Sequence, residues 1–291
     1  MTETVKELRK IRSTKRKEIW RRFRKNKLAM IGLVVIAVFV LAAVFADVIA
    51  DYETQALQMS PNRLQTPSAQ HLFGTDAVGR DIFARIVHGA RVSLSIGVAV
   101  TVLSLIIGGF LGAVAAYFGG IVDNIIMRIM DILMCIPAIL LALAIIAALG
   151  TSIPNLLIAI TIAAVPGFAR IVRAVVLTVV GQDYIEAARS SGMTAMGIIV
   201  THVLPNAVGP IIVQATMSVA SLVLAAAGLS YIGMGVQPPQ PEWGAMLSDA
   251  SKHMRYYTHL VIFPGIAIVL SALSLNLVGD GLRDALDPRL K

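Results

Sequence analysis

The chain has 291 residues, of which 57% are hydrophobic and 14% are charged, and its net charge is +8. Soluble globular domains contain about 45–50% apolar and about 25% charged residues, so the composition excludes an ordinary soluble protein and indicates a polytopic membrane protein. One cysteine, Cys135, excludes an intrachain disulfide and a metal cluster held by thiolates.

The N-terminal segment, residues 1–27, is strongly basic, because twelve of the 25 Lys and Arg residues lie between positions 6 and 27. A basic segment beside a first membrane helix commonly sets the topology and contacts anionic lipid, so we expect membrane lipid and no nucleic acid as its partner. An amphipathic surface helix and a disordered tail are both compatible with this segment.

Six apolar stretches are long enough to cross about 30 Å of hydrocarbon. They lie at 28–50, about 91–118, about 124–149, 154 to about 180, about 207–236 and about 257–278. The first stretch exceeds a signal-peptide core of about 7–15 residues and lacks a following cleavage site. The sequence therefore predicts an all-α fold with six transmembrane helices.

The basic residues predict the orientation of these helices. With both termini in the cytosol, 19 Lys and Arg residues lie inside and six outside. This distribution agrees with the positive-inside rule and places the connection between the fourth and fifth helices, residues 183–206, in the cytosol.

Two features within the spans suggest helix packing and charge pairing. Gly108 and Gly112 form a G-x-x-x-G pattern, which allows close helix approach, either within the chain or against a second subunit. Arg128 and Asp131 lie one turn apart near the predicted cytosolic end of the third span. Because unpaired charge is costly there, we predict a structural pair, with a gating role as the weaker interpretation.

The pattern of the loop 183–206 predicts two short helices. Asp183 is a candidate N-cap with Glu186 three residues later, and Gly192 is a candidate helix terminator. Thr194 would cap a second helix, 195–202, and Pro205 would begin the next span. The second helix is too apolar for a solvated loop, so we predict that it docks into a partner.

Four motifs in this chain resemble one family. The loop carries E-A-A-x(3)-G-x(12)-P, formed by Glu186, Ala187, Ala188, Gly192 and Pro205. The others are GTD-x(2)-GRD at 74–81, QPPxPEWG at 237–244 and the ending GDGLRDALDPRLK at 279–291. Together they resemble the C-type permease subunits of binding-protein-dependent ABC importers in the dipeptide, oligopeptide and nickel branch.

The resemblance implies a type I ABC importer permease (MetI-like) fold in the cytoplasmic membrane. It implies a basic cytosolic segment 1–27, a first span 28–50, an extracytoplasmic segment 51–90, a permease core 91–280 and a cytosolic tail 281–291. The loop 183–206 would fit a groove on the ATPase subunit. The residues expected in that contact are Glu186, Ala187, Ala188, Gly192, Met196, Ile199, Val200 and Pro205.

The resemblance also implies the partners. They are a second permease of similar fold forming a heterodimer, two ATPase subunits and an extracytoplasmic substrate-binding protein. The sequence holds no phosphate-binding G-x(4)-G-K-[ST] pattern and no recognisable catalytic motif, so we expect a non-catalytic subunit without a cofactor. ATP and Mg would bind to the partner ATPases, and ATP-driven alternating access would move dipeptides or oligopeptides inward.

Three alternatives remain open at this point. A nickel or nickel-chelate importer shares all four motifs. A stand-alone channel or ion-coupled carrier would transport without partners, against which the docking loop argues. An intramembrane enzyme would need paired catalytic groups within the spans, and the sequence shows none.

Overall fold

The computed structural model describes residues 17–286, and their regular structure is helical apart from one isolated β-bridge between Thr75 and Asp81. Residues 17–25 are helical. The following helices are α1 (Lys27–Val44), α2 (Ala46–Ile49), α3 (Ile82–Phe118), α4 (Gly120–Met134), α5 (Ala138–Leu149), α6 (Ile153–Val180), α7 (Asp183–Ser190), α8 (Ala195–Ile198), α9 (Leu204–Tyr231), α10 (Trp243–Ser251) and α11 (His259–Leu286), with π-helical turns at Tyr52–Leu57 and Ile199–Val203.

Five helical stretches in the described range are long and apolar enough to span a membrane, and a bent pair brings the number to six. The five are α1, α3, α6, the continuous run Ala195–Tyr231 and α11; the pair is α4 with α5. The predicted all-α fold with six spans is therefore confirmed when the bent pair counts as one span.

The third span, predicted over about 124–149, is broken into two helices. Helices α4 and α5 meet at 84°. The break lies at Pro137, which is the N-cap of α5. Proline has no N–H to donate and disfavours the helical conformation at the preceding Ile136, so α4 cannot continue through this position.

Four other spans begin or end away from their predicted limits, and the first of them, α1, ends at Val44 rather than at residue 50. Helix α3 begins at Ile82 rather than near residue 91, because the Asp81 carboxylate caps it by accepting from the Ala84 N–H at 2.9 Å. Helix α9 ends at Tyr231 rather than near residue 236, and α11 extends to Leu286, eight residues beyond the predicted limit of 278.

Helices α3 and α6 pack through backbone contact. A Cβ atom on Gly108 would lie 2.6 Å from the Val165 carbonyl oxygen and 2.9 Å from Phe168 Cβ, and one on Gly112 would overlap Ala169. Both glycines therefore face a helix of this same chain, which is the first of the two arrangements that the sequence allowed.

The N-terminal helical residues pack on the last helix. Phe23 is buried against Ala29 and Ala285, and a Cβ atom on Gly281 would lie 3.1 Å from the Phe23 ring. Asn26 caps α1 and donates from Nδ2 to Asp284 at 3.2 Å. Of the predicted basic segment, residues 1–16 lie outside the described range, as do the last five residues of the tail.

The two ends of α3 define the two sides of the molecule. Near its start, the Ile86 carbonyl accepts from the Trp243 indole N–H at 3.1 Å, so residues 51–81 and 232–258 lie at one end, here called the cap. Near its finish, Tyr117 contacts Arg189, so α7 and α8 lie at the other end, here called the loop end. A 37-residue helix separates the two by about 55 Å.

Candidate functional site

The first loop helix, α7, lacks the capping box that the sequence suggested. Its N-cap is Gln182, which makes no side-chain cap, and Asp183 is already the first helical residue. The predicted Asp183 cap is therefore wrong by one position. Asp183 and Glu186 both lie in the first turn, where carboxylates interact favourably with the positive end of the helix dipole.

The turn between the two loop helices is the one that Gly192 predicts. Gly192 has φ +78° and donates to the Arg189 carbonyl at 3.0 Å, while Met193 donates to Ala188 at 3.3 Å. These two bonds form a Schellman motif, which favours glycine at the left-handed position. Thr194 caps α8 as predicted, accepting from the Gly197 N–H at 3.2 Å.

The second loop helix does not end before the next span. The chain runs from α8 through the π-helical turn Ile199–Val203 into α9 without a break. The predicted helix 195–202 is therefore the beginning of a longer one. Pro205 lies in the first turn of α9, and the wider π-helical turn before it accommodates the missing backbone donor.

The apolar residues of the loop divide into an inner and an outer face. Ile185, Ala188, Ile198 and Ile199 are buried in a cluster with residues of α3 and α6. Ile199 is 1% exposed, so its predicted partner contact is wrong, and the same holds for Ala188 at 8%. Their periodic positions face this chain's own core.

The outer face is available to a partner. Of the residues predicted to dock, Glu186, Ala187, Gly192 and Pro205 are exposed, and Met196 and Val200 are 49% and 54% exposed. Sequence reasoning missed two large apolar side chains on the same loop, Tyr184 and Met193, at 43% and 38%. Their exposure depends on which helix face meets α3, which the sequence did not reveal.

Arg189 anchors α7 to the end of α3. Its guanidinium carbon lies 4.7 Å from the centre of the Tyr117 ring, and its Nε donates to the Tyr117 hydroxyl at 3.3 Å. A cation–π contact with a hydrogen bond restrains the loop helix relative to the span. No local sequence pattern predicts this long-range pair.

The charges near the loop end pair between helices, which corrects the predicted pair Arg128–Asp131. Asp131 accepts from Arg170 of α6, and Asp123 accepts two hydrogen bonds from Arg173. Arg128 is exposed. Since α4 lies against α6, the arginines of α6 reach these carboxylates, whereas Arg128 lies on the outward face of α4.

The cap holds a second polar network around Trp243, the first residue of α10. Glu242 caps α10 by accepting from the Ala245 N–H at 2.8 Å, and its other oxygen accepts from the Ser93 hydroxyl at 3.2 Å. Burial raises the pKa of the Glu242 carboxyl. A Cβ atom on Gly244 would overlap the Ala227 backbone, so α10 lies directly against α9.

Within residues 17–286, no three His, Cys, Asp or Glu side chains are grouped so that they could hold a metal ion. The polar contacts at the loop end and in the cap connect helices to one another. The exposed outer face of the loop is therefore the candidate functional site of this chain.

The comparisons with known proteins agree with this geometry. The family described as binding-protein-dependent transport system inner membrane component matches residues 104–291, and the N-terminal TM domain of oligopeptide transport permease C matches residues 14–67. The chain is 48% identical to the dipeptide transport system permease protein DppC of Alkalihalophilus pseudofirmus. It is 45% identical to the glutathione transport system permease protein GsiD of Escherichia coli O6:K15:H31. Both matches cover 94% of this chain and 90% of the relative.

Among solved structures, the chain resembles one from the inward-facing MetNI methionine ABC transporter. The TM-score is 0.58 at 22% identity, and the match covers 71% of this chain and 98% of the other. This likeness shows the fold, that of a type I ABC importer permease. ATPase and binding-protein partners accompany permeases of this kind. The chain therefore belongs to the family of inner-membrane components of binding-protein-dependent transport systems, as a multi-pass permease subunit of an ABC importer.

Proposed function

We propose that this chain is one of two permeases that together line the path of an importer for short peptides. One observation carries the proposal: the relatives that are 48% and 45% identical over 94% of this chain are named for dipeptide and glutathione transport. Glutathione is itself a small peptide, so both names point to the same substrate class. The second permease would have a similar fold and form a heterodimer with this chain.

The exposed face of the loop would transmit the energy of ATP hydrolysis. Two ATPase subunits would bind ATP and Mg, and one would receive Met196 and Val200 in an apolar groove, with Tyr184 and Met193 beside them. Large apolar side chains half exposed at a water-facing helix end favour such a contact. Gly192 would set the angle between α7 and α8, and Glu186 and Ala187 would lie at the edge of the contact.

The proposed orientation places the loop end and both termini in the cytosol and the cap outside. The basic residues support it, because residues 17–27 and the three arginines Arg170, Arg173 and Arg189 lie toward the loop end. The cap would then meet the substrate-binding protein.

Reconstitution tests the proposal. Both permeases and the ATPases are placed in liposomes, the binding protein is added outside with radiolabelled Ala-Ala, and ATP is enclosed. We expect ATP-dependent uptake of Ala-Ala and none with this chain alone. Uptake of radioactive nickel instead of peptide would assign a different substrate, and uptake by the chain alone would identify a channel or carrier.

A further inference from the structure

A cavity of about 280 Å³ lies in the cap, at the opposite end of α3 from the loop. Its walls come from the segment before α3, from the start of α3 and from α10. Its lining includes four charged side chains, Asp76, Arg80, Arg85 and Asp249, and apolar ones that include Ile82 and Met246. None of the residues assigned to the loop contact lines it.

The side chains of the two arginines that line the cavity are buried. The side chain of Arg85 is 2% exposed and that of Arg80 is 7% exposed. Arg85 Nη1 donates to the carbonyl oxygens of Ala56 at 3.0 Å and Pro239 at 3.2 Å. These contacts fix the guanidinium in place between the segment before α3 and the segment before α10.

One part-buried carboxylate among the residues that line this cavity, that of Asp76, contacts both guanidiniums. Asp76 Oδ2 accepts from Arg80 Nε at 2.6 Å and lies 3.7 Å from Arg85 Nε. Asp76 Oδ1 already accepts from the backbone N–H groups of Val78 and Arg80. One carboxylate therefore serves two buried positive charges, and three of its roughly four acceptor positions are already occupied.

The second carboxylate in the cavity makes a looser contact. Asp249 Oδ2 lies 3.5 Å from Arg80 Nη2, beyond the usual range of an N–H···O hydrogen bond. Its side chain is 43% exposed, so it can turn to solvent at little cost. With Lys252 also on the cavity wall, positive groups outnumber negative ones there.

We propose that this cavity binds the C-terminal carboxylate of a short peptide, held between Arg80 and Arg85. The inference rests on the proposed function and adds a site to it. A guanidinium is planar and carries five N–H donors, which suits a carboxylate that accepts two of them. The incoming carboxylate takes the position that Asp249 loosely occupies.

The shape of the cavity agrees with a small solute. Its volume of about 280 Å³ is just below the range of about 300–1,000 Å³ for the pockets of drug-sized ligands, and its apolar lining can take a small side chain beside the carboxylate. In the proposed orientation the cavity lies on the outer side of the membrane, the side from which a binding protein would deliver its cargo. It would hold the peptide on the outer side of this permease before transport.

The test uses the assembled complex of both permeases and the ATPases in lipid nanodiscs, without binding protein. Ala-Ala and Ala-Ala amide are titrated separately, and binding is measured by calorimetry and by saturation-transfer NMR. The acid should bind at least about tenfold more tightly than the amide, because the amide cannot accept charge-assisted bonds. Equal binding of the two would overturn the inference.

Two variants give opposite expectations. Arg80→Gln should weaken binding of Ala-Ala by about tenfold, since it removes one charged donor. Asp249→Asn should strengthen it, because the competing carboxylate is gone. Arg255→Gln removes an exposed cap charge that does not line the cavity, and it should change nothing.

Asp249→Asn decides the question even if Arg80→Gln fails to assemble. If these charged residues have only a structural role, Asp249→Asn should bind Ala-Ala as tightly as the wild type or more weakly. Either result would overturn the inference. If the variants alter only the affinity of the complex for the binding protein, the cavity is a protein contact and the inference is wrong.

The failure of this inference is distinguishable from failure of the proposed function. Uptake of Ala-Ala by the complete transporter, combined with equal binding of acid and amide, would reject the cavity site alone. Absence of Ala-Ala uptake in the presence of all partners would reject peptide import itself, and with it the inference that rests on it.

Discussion

The Asp131 carboxylate of α4 pairs with the Arg170 guanidinium of α6, although Arg128 lies only three residues from Asp131 in the chain. The pair joins α4, the part of the broken span nearer the loop end, to the neighbouring helix α6. Both side chains are nearly half exposed, so the ion pair should contribute only about 0.2–1 kcal/mol.

A double-mutant cycle should detect this pair. Asp131→Asn and Arg170→Gln should be non-additive in thermal unfolding of the detergent-solubilised chain, since each removes the same contact. Asp131→Asn and Arg128→Gln should add, because those side chains do not pair. Coupling found with Arg128 and not with Arg170 would contradict the structure.

Gly108→Leu should prevent normal folding, because its side chain would enter the backbone of α6 near Val165. Gly109 offers a matched control in the same turn, since a Cβ atom there would meet Leu105 at an ordinary 3.6 Å. Gly109→Ala should be tolerated. Yield and monodispersity in size-exclusion chromatography measure both, and equal behaviour of the two variants would contradict the close packing of α3 on α6.

Gly192→Val should uncouple ATP hydrolysis from transport while leaving assembly intact. A Cβ atom at Gly192 meets nothing within 4 Å, so the effect arises from the backbone, whose φ of +78° costs a β-branched residue about 1–3 kcal/mol. Gly192→Asn should be milder, since asparagine tolerates this region. Gly181→Ala, at φ −82° and also in open space, is the control.

The measurement is ATPase stimulation by loaded binding protein and peptide uptake in the reconstituted complex. Glu186→Ala should act in the same direction as Gly192→Val but less strongly, because Glu186 lies in the first turn of α7 without capping it. A normal uptake rate in Gly192→Val would show that the loop is not the coupling element.

Glu242→Gln should change how stability depends on pH. Burial raises the pKa of the Glu242 carboxyl above its ordinary value of 4.5, so the folded state binds the proton more tightly than the unfolded state. Relative to Glu242→Gln, the wild type should be most stable below that ordinary value and should lose stability as pH rises through the raised pKa. Thermal unfolding of both proteins between about pH 4 and about pH 8 measures the difference.

Glu242→Ala is the companion variant. It removes the cap of α10 and, like Glu242→Gln, does not titrate at this position, so it should be less stable than Glu242→Gln by about 1 kcal/mol at every pH. A constant difference between the wild type and Glu242→Gln across this range would mean that the carboxyl does not titrate differently on folding.

Labelling of single cysteines should establish the orientation. In a Cys135→Ser background, a cysteine replacing Gln240 in the cap should react with an impermeant maleimide in intact cells. A cysteine replacing Ser191 at the loop end should react only after the membrane is permeabilised. Both positions are exposed, so accessibility depends on the side of the membrane. The reverse pattern would invert the proposed topology.

The sequence predicted the features that rest on local chemistry. Long apolar stretches identified the spans because hydrocarbon thickness sets their length, and Gly192 marked the loop turn because a left-handed position favours glycine. Gly108 and Gly112 marked a close helix contact, although the sequence could not say which helix fills it.

The errors concern relationships across the fold. The partner of Asp131 depends on how α6 lies beside α4, and the burial of Ile199 depends on how α3 and α6 pack against the loop. The periodicity of apolar residues specifies neither arrangement. The bend at Pro137 had a local signal, a proline inside an apolar run, that could have been read as a break. The burial of Arg85 also depends on distant partners, the carbonyl groups of Ala56 and Pro239.

The unbroken helical run from Ala195 to Tyr231 has a mechanical consequence. Thirty-seven residues at the rise of an α-helix make a rod about 55 Å long. Its loop end begins after Thr194, and the part nearer the cap contacts Gly244 of α10. A force applied to the loop would travel lengthwise along hydrogen-bonded backbone to the helix that carries Asp249. Two points in this run depart from regular α-helix, the turn Ile199–Val203 and Pro210, and both lie in the half nearer the loop. Bending is therefore expected in that half, while the half nearer the cap should behave as a rigid rod.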